Sequence, residues 1–313
     1  MSVVIPTVGR RSLEAAVASA QAQTIAPDEI VVVDDRPPGG EPLDVASRRA
    51  GVVPVHVVVT GGGVGAAAAR MIGVDAATAE LIAFLDDDDE WMPEKLASQL
   101  VRFDHERAHV EHPVVGALAV DVDEAGDVAA WPRPSRFEPG RDDLAEALFV
   151  RRRSLSAGGR LSLGSSVILA DRRLLLADPM DSGLTVHEDW EWLLRVDARD
   201  DARVSVVDRV LVRYRLADVS LSSCANAWHD TRELARCRPM SARARGDLLI
   251  TVGATAAVGA RAWRDAFGLV AEARRAGRPT RRAWLALALE TVVAPLPPTW
   301  RQRCWVRRDR RSS

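Results

Sequence analysis

Leu81-Ile82-Ala83-Phe84-Leu85-Asp86-Asp87-Asp88-Asp89 runs from an unbroken apolar stretch straight into four carboxylates. A short continuous apolar run reads as a strand buried on both faces, and the acids that follow it mark the carboxyl edge of a sheet. The same pattern occurs upstream. Residues 2–5 are apolar and rich in β-branched side chains, and Pro6 ends them. Residues 13–22 have helical spacing, and residues 30–33 form a second apolar run that stops at Asp34-Asp35. Residues 55–59 read as a third strand, after which Gly61, Gly62, Gly63 and Gly65 open an alanine-rich helix reaching about residue 77. Alternating strands and helices of this kind predict an α/β fold with a parallel sheet covered on both faces.

Beyond residue 110 the pattern loosens. Residues 114–120 read as a strand, and residues 132–160 as a Pro-, Arg-, Gly- and Ser-rich excursion with a short helix at 142–149. Strand character returns at 161–169, helix at 186–196 and strand at 204–214. From about residue 225 to Pro295 the chain reads as helical. A boundary near 220–223 divides an α/β domain, residues 1–222, from a helical region with a basic tail, residues 223–313.

The 313 residues are 47% apolar and 27% charged with a formal net charge of −2, which predicts a soluble protein and gives no bulk attraction to nucleic acid. Cys224, Cys237 and Cys304 lack metal-ligand spacing and fit a reducing compartment. The N-terminus has no basic region ahead of a long apolar stretch, and no apolar run approaches the ~20 residues of a spanning helix. A cytoplasmic protein without a signal peptide is expected.

Read as extended chain, the four acids alternate, with Asp86 and Asp88 on one side and Asp87 and Asp89 on the other. Like charges ~6 Å apart repel by a few tenths of a kcal/mol in water and by several-fold more in a partly desolvated cleft. A divalent cation reverses that penalty. Carboxylate oxygens suit Mn²⁺ or Mg²⁺, ions that share their shell with substrate phosphates. A solvated acidic helix start explains one or two aspartates there but not four.

Asp34 and Asp35 end a neighbouring strand, where a carboxylate can accept from a nucleobase or a ribose hydroxyl. The glycine cluster ahead of Arg70 permits close backbone approach, and the helix start favours an anion such as pyrophosphate. Gly63-x-Gly65-x-x-Ala68 also matches a dinucleotide fingerprint, which keeps an NAD(P)-dependent oxidoreductase as a rival reading. Against that rival, the glycines follow the third strand rather than the first, and a ribose needs one acid rather than four.

His187-Glu188-Asp189-Trp190-Glu191-Trp192 opens a helix in which Trp190, Leu193 and Leu194 are expected to face the core. Asp189 and Trp192 share another face, offering a base for a hydroxyl proton beside a flat wall for a sugar ring. An amphipathic helix with an acidic first turn explains the local pattern equally well. His105, His109 and His112 have nearly helical spacing without a carboxylate pattern to complete a metal site, and read as an exposed surface. Six arginines within residues 301–313, together with Trp300 and Trp305, suggest peripheral contact with an anionic membrane; a packed helix with a basic tail is the simpler alternative.

Taken in order, residues 2–7 (Ser-Val-Val-Ile-Pro-Thr), 30–35 (Ile-Val-Val-Val-Asp-Asp), Gly65 through Arg70, 84–95 (Phe-Leu-Asp-Asp-Asp-Asp-Glu-Trp-Met-Pro-Glu-Lys) and Glu188-Asp189 resemble the motifs of inverting family 2 glycosyltransferases. The resemblance covers about residues 1–220. It implies the GT-A nucleotide-diphospho-sugar transferase fold, with a central, mostly parallel mixed sheet, here followed by a C-terminal helical extension. It further implies that Pro6, Thr7 and Asp35 line the base and ribose pocket, with Arg70 near the base or phosphates. Asp86 and Asp88 would hold Mn²⁺ or Mg²⁺, with Asp87 near the sugar. Asp189 would be the general base, with Glu188 and Trp192 at the acceptor. The implied substrates are a UDP- or dTDP-sugar and a hydroxyl-bearing polysaccharide, glycolipid or small molecule. Two positions depart from the family: Arg36-Pro37 where Gly-Ser is common, and Met71 where Asn is common. A nucleotide-sugar-binding protein without catalysis is a further class that the same motifs allow.

Overall fold

In the computed structural model, β1 (Ser2–Thr7) lies between two parallel neighbours, β2 (Glu29–Asp34) and β4 (Leu81–Phe84), and β3 (Val55–Val59) extends the sheet beyond β2. The structure describes residues 1–39, 41, 43, 45, 53–123, 127–130, 137–150, 161, 163–180, 183–215 and 227–294. Among them the remaining strands are β5 (Glu90–Trp91), β6 (His112–Val122), β7 (Val128–Ala130), β8 (Leu169–Asp171) and β9 (Ala202–Arg215). The order across the sheet is β3-β2-β1-β4-β8-β6-β9-β5, with β7 paired to β6. β8 runs antiparallel between β4 and β6, and β6 and β9 are parallel. The sheet is therefore mixed, and the expected mostly parallel GT-A architecture is what the chain adopts.

The helices in this region are α1 (Leu13–Gln21), α2 (Ala66–Ala76), α3 (Lys95–Arg107), α4 (Leu144–Phe149), α5 (Arg172–Ala177) and α6 (Glu188–Asp197). Every residue of β2 is buried, as is all of β1 except Pro6, as continuous apolar strands require. Each fully buried Val or Ile contributes about 1.5–3 kcal/mol. α2 approaches this surface so closely that a side chain at Gly73 would collide with Val4 and Val33. Because α1 follows β1 while β2 and β4 flank it, the carboxyl ends of the three strands enclose a crevice at a topological switch point.

Two expectations are corrected here. The aspartate run is not extended: β4 stops at Phe84, and Asp89 N–H bonds back to the Asp86 carbonyl at 3.1 Å, which makes a turn. The four side chains consequently radiate in different directions instead of alternating. The expected strand over 161–169 is also absent in its described part. Residues Ser165–Val167 form one tight helical turn, and the strand is the shorter β8. Its backbone is claimed by the aspartate turn, since Trp91 Nε1 donates to Ser166 O at 2.9 Å and Asp86 N donates to Ser166 Oγ at 2.9 Å.

The C-terminal helices are α7 (Ala227–Cys237), α8 (Ala242–Leu248), α9 (Thr255–Gly259), α10 (Trp263–Ala276) and α11 (Arg281–Val293), with a wider-wound stretch at Leu249–Ala254 joining α8 to α9. Among the described residues no helix is long and apolar enough to cross a membrane. The boundary expected near residue 222, the arginine-rich tail and most of the 132–160 excursion lie outside the described residues.

Candidate active site

The turn after β4 places each aspartate against a different element. Asp86 accepts from Arg70 Nη2 at 2.5 Å. Asp87 is buried, accepting from Thr7 Oγ1 and from Arg10 Nη1, each at 2.5 Å. Asp89 is buried too, accepting from Ser166 Oγ at 2.6 Å and from the Arg215 backbone N–H at 3.2 Å. Asp88 is the open member, its nearest cation being Arg10 at 3.8 Å. Burial, with Asp86 next in weight, pushes the Asp88 carboxyl up to about 6. Burial and the Asp86 and Asp88 charges raise Asp89 as well.

Arg70 joins this cluster to the second acidic motif. Its Nη1 donates to Glu188 Oε1 at 2.7 Å, so a buried guanidinium spans Asp86 and Glu188. Burial opposes its charge, but the two carboxylates outweigh that and raise its pKa. Beside it, Asp189 is pushed up to about 7, first by burial and then by Glu188, with Arg70 pulling the other way. Asp189 Oδ1 accepts from the Trp190 N–H at 2.7 Å. Glu188 is buried with its carboxylate on Arg70, so it braces the helix start rather than facing an open acceptor space.

The tryptophans exchange their expected roles. Trp192 is fully buried and its indole N–H donates to the Asp178 carbonyl at 2.7 Å, so it cannot wall an acceptor pocket. Trp190 is the partly exposed ring, stacked on His187 with centroids 4.6 Å apart. One residue is 100° of helix rotation, and the left-handed backbone of His187 (φ 69°) turns the helix start by more than local spacing reveals.

On the β2 side, Asp34 takes a two-pronged contact from Arg36, at 2.9 Å from Nε and 2.7 Å from Nη2. Asp35 faces the glycine loop, accepting from Thr60 Oγ1 at 2.6 Å, Val64 N at 3.0 Å and Gly65 N at 3.1 Å. Two of the amides leading into α2, read from sequence as part of an anion cradle, are thus already engaged by a carboxylate of the same chain. Gly62 is required where it stands: φ is 96°, and a side chain there would strike the backbone of Arg36 and Pro37. A dinucleotide pyrophosphate would have to displace Asp35 from the Val64 and Gly65 amides, which weighs against an oxidoreductase. Pro6 lies half-buried next to Thr7 at the mouth of the crevice.

Sequence reading missed Arg10, Gly164, Ser166 and Tyr214. Tyr214 is the only tyrosine in the chain, and Arg10 stands three residues past Thr7, but no periodicity marks either. The histidine reading also needs amendment. His105 and His109 lie at the end of α3, whereas His112 begins β6 and contacts Asp171 Oδ2 at 3.3 Å. Among the described residues, Glu111, His112 and Asp201 place potential metal-ligand atoms within 4.8 Å of one another. They sit at the opposite edge of the sheet, and Asp201 is already gripped by Arg199 at 2.7 Å through both nitrogens.

An α/β domain thus carries a run of acids at the switch point of its sheet and a second acidic motif across the crevice. Residues 2–148 match the family model "Glycosyl transferase family 2". The amylovoran biosynthesis glycosyltransferase AmsE of Erwinia amylovora is 31% identical over 37% of this chain and 42% of its own length. AmsB of the same organism is 24% identical over 54% of each chain. The chain thus spans about half the length of these relatives. Among solved structures, S. aureus TarS 1-349 superposes with a TM-score of 0.60 at 16% identity, covering 94% of this chain and 89% of that one. The same fragment has been solved with UDP and with UDP-GlcNAc.

Proposed function

We propose that the protein transfers a sugar from a nucleoside diphosphate to an acceptor hydroxyl with inversion at the anomeric carbon, and that Asp189 is the general base. The observation that carries this reading is an excess of carboxylate in one crevice. Asp86, Asp87, Asp88, Asp89, Glu188 and Asp189 converge there, and among the described residues two guanidinium groups, Arg10 and Arg70, contact them. Three of the six, Asp88, Asp89 and Asp189, hold their protons more tightly than usual.

Such a donor set fits Mn²⁺ or Mg²⁺, hard cations that favour carboxylate oxygens. Asp86 and Asp88 would hold the ion, which supplies charge stabilisation for the departing diphosphate. Thr7 and Pro6 face the donor from β1, and Asp87 is fixed beside them by Thr7 and Arg10. Asp35 and Arg70 act one step back: Asp35 shapes the loop beneath the base and ribose, and Arg70 ties Asp86 to the Glu188-Asp189 motif. Across the crevice, Asp189 takes the acceptor proton as the hydroxyl attacks the anomeric carbon from the face opposite the leaving group.

A UDP-sugar donor is supported by the TarS fragment's complexes, and a dTDP-sugar is the second candidate. The acceptor is a hydroxyl-bearing polysaccharide, glycolipid or small molecule. A panel of nucleotide sugars with Mn²⁺, followed by nucleoside diphosphate release, tests the reading. One donor should turn over, and Asp189→Asn should reduce the rate by ~10²–10⁴-fold while still binding UDP. No release from any donor, or wild-type turnover in the variant, overturns it.

A further inference from the structure

Residues 274–282, Arg-Arg-Ala-Gly-Arg-Pro-Thr-Arg-Arg, hold five arginines and no acid. They close α10, form its connection to α11 and open that helix, and all five arginines are exposed. Among the described residues none of the five is ion-paired. Behind this basic tip the helices show apolar side chains to solvent. On α10, Trp263, Phe267, Val270 and Arg274 recur at helical spacing and share one stripe. On α11, Arg281, Leu285, Ala288 and Val292 do the same, and all four are exposed. Phe267 and Val292 are each 72% exposed, Trp263 43% and Leu285 46%. The Arg274 guanidinium lies over the Trp284 ring, 5.0 Å from its centroid, and so joins the two stripes at the tip. The three acids of these helices, Asp265, Glu272 and Glu290, fall outside both stripes by helical rotation. Glu272 turns instead to Arg232 on α7, at 3.0 Å.

A helix that is apolar all round is ordinarily buried on every side. Residues 283–289 of α11 are all apolar, yet one face of the helix meets solvent. We propose that the α10–α11 hairpin docks on an anionic bilayer surface. Trp263, Phe267, Leu285 and Val292 would enter the boundary between headgroups and acyl chains, with the five arginines against lipid phosphates. Arginine suits that edge, because its stem covers apolar surface while its guanidinium stays with the headgroups. Exposed apolar side chains favour lipid over nucleic acid, which offers charge but no apolar phase. No helix among the described residues is long and apolar enough to cross a membrane, so the hairpin lies on the surface. The contact stands apart from the acidic crevice and does not depend on the transferase reading.

The test mixes the full chain with vesicles of phosphatidylcholine, alone or with phosphatidylglycerol added, and measures the bound fraction by flotation at low and high salt. The protein should bind only the phosphatidylglycerol vesicles, and salt should weaken the binding. Phe267→Ser combined with Val292→Ser should lose about tenfold or more of it. Arg281→Gln and Arg282→Gln should each lose about fivefold at low salt and less at high salt. These side chains are exposed, so melting temperatures should match wild type; should the serine pair fail to fold, the glutamine variants decide alone. No binding to phosphatidylglycerol vesicles overturns the proposal. So does binding that all these variants leave unchanged but that serine in place of the arginines within 301–313 abolishes, which moves the contact to the tail. A dimer seen by sedimentation and broken by Phe267→Ser, without vesicle binding, overturns it too and makes the face a contact between two copies.

Discussion

Arg70 and Glu188 stand 118 residues apart in sequence and 2.7 Å apart in space, and the same guanidinium holds Asp86. This buried fork touches both acidic motifs. Breaking a buried ion pair leaves an uncompensated charge and typically costs about 3–5 kcal/mol. Arg70→Met should therefore lower stability by that order and abolish turnover. Arg70→Lys keeps the charge but cannot bridge two carboxylates, so it should fold and lose most activity. Urea unfolding and UDP calorimetry distinguish the two effects; an Arg70→Met protein as stable as wild type contradicts the bridge.

In the proposed mechanism Asp189, lifted to about 7, sets the acid side of the rate profile. Asp189 must be ionised to accept a proton, so kcat/KM should rise tenfold per pH unit below about 7 and level off above it. Stability runs the other way. Between the ordinary aspartate range near 4 and about 7, the folded state keeps a proton that the unfolded chain has lost, so stability falls as pH climbs through that window. Asp189→Asn removes this loss and should be more stable than wild type at pH 8, by on the order of 1 kcal/mol or more, although inactive. Melting scans at pH 5 and pH 8 check the crossover.

Lys95 is the only lysine and is fully buried, its Nζ lacking a hydrogen-bond partner among the described residues and lying 3.8 Å from the centroid of the Trp91 ring. Burial drives its pKa well below 10.5. The folded protein thus sheds a proton that the unfolded chain retains, and this residue makes stability rise with pH up to about 10.5. Lys95→Met should be more stable than wild type at pH 7, by about 1–3 kcal/mol, and should flatten the alkaline rise. Denaturant midpoints at pH 7 and pH 10 measure it.

The helix that carries Asp189 is held by the C-terminal region. Asp230 on α7 accepts from the backbone N–H groups of Thr185 and Val186, at 2.8 and 3.0 Å, and Thr231 Oγ1 contacts His187 Nε2 at 3.0 Å. These contacts keep His187 in its left-handed conformation immediately before Glu188. Asp230→Ala should cost about 1 kcal/mol and lower kcat several-fold with UDP affinity unchanged. Equal losses in kcat and UDP affinity would show that α7 serves the fold alone.

How far the sequence could be read follows from what local pattern encodes. The strands β1, β2 and β4 declare themselves because each is a continuous run of Val, Ile, Leu, Ala and Phe that stops at a polar or acidic residue. Asp86 and Asp88 could be named as candidates because four acids in a row past a strand's carboxyl end exceed what a helix start needs, whereas Asp189 is named through the order of the motifs. What escaped depends on the late strands. β8 and β9 bring Ser166, Tyr214 and the Arg215 amide to the aspartate turn from 77 to 126 residues away, and no periodicity records that convergence. The misplaced Trp192 shows the same limit on a smaller scale: helical spacing says which residues share a face, but tertiary packing decides which face is inside.

Asp35 neutralises the positive start of α2 from within the chain, and that has a consequence for selectivity among phosphates. A free nucleotide meets a carboxylate at that helix, and the neighbouring crevice is crowded with acids, which repels a bare polyanion. Donors should therefore be admitted in company with their counter-ion, and abundant cellular phosphates arriving alone should compete poorly for the same seat.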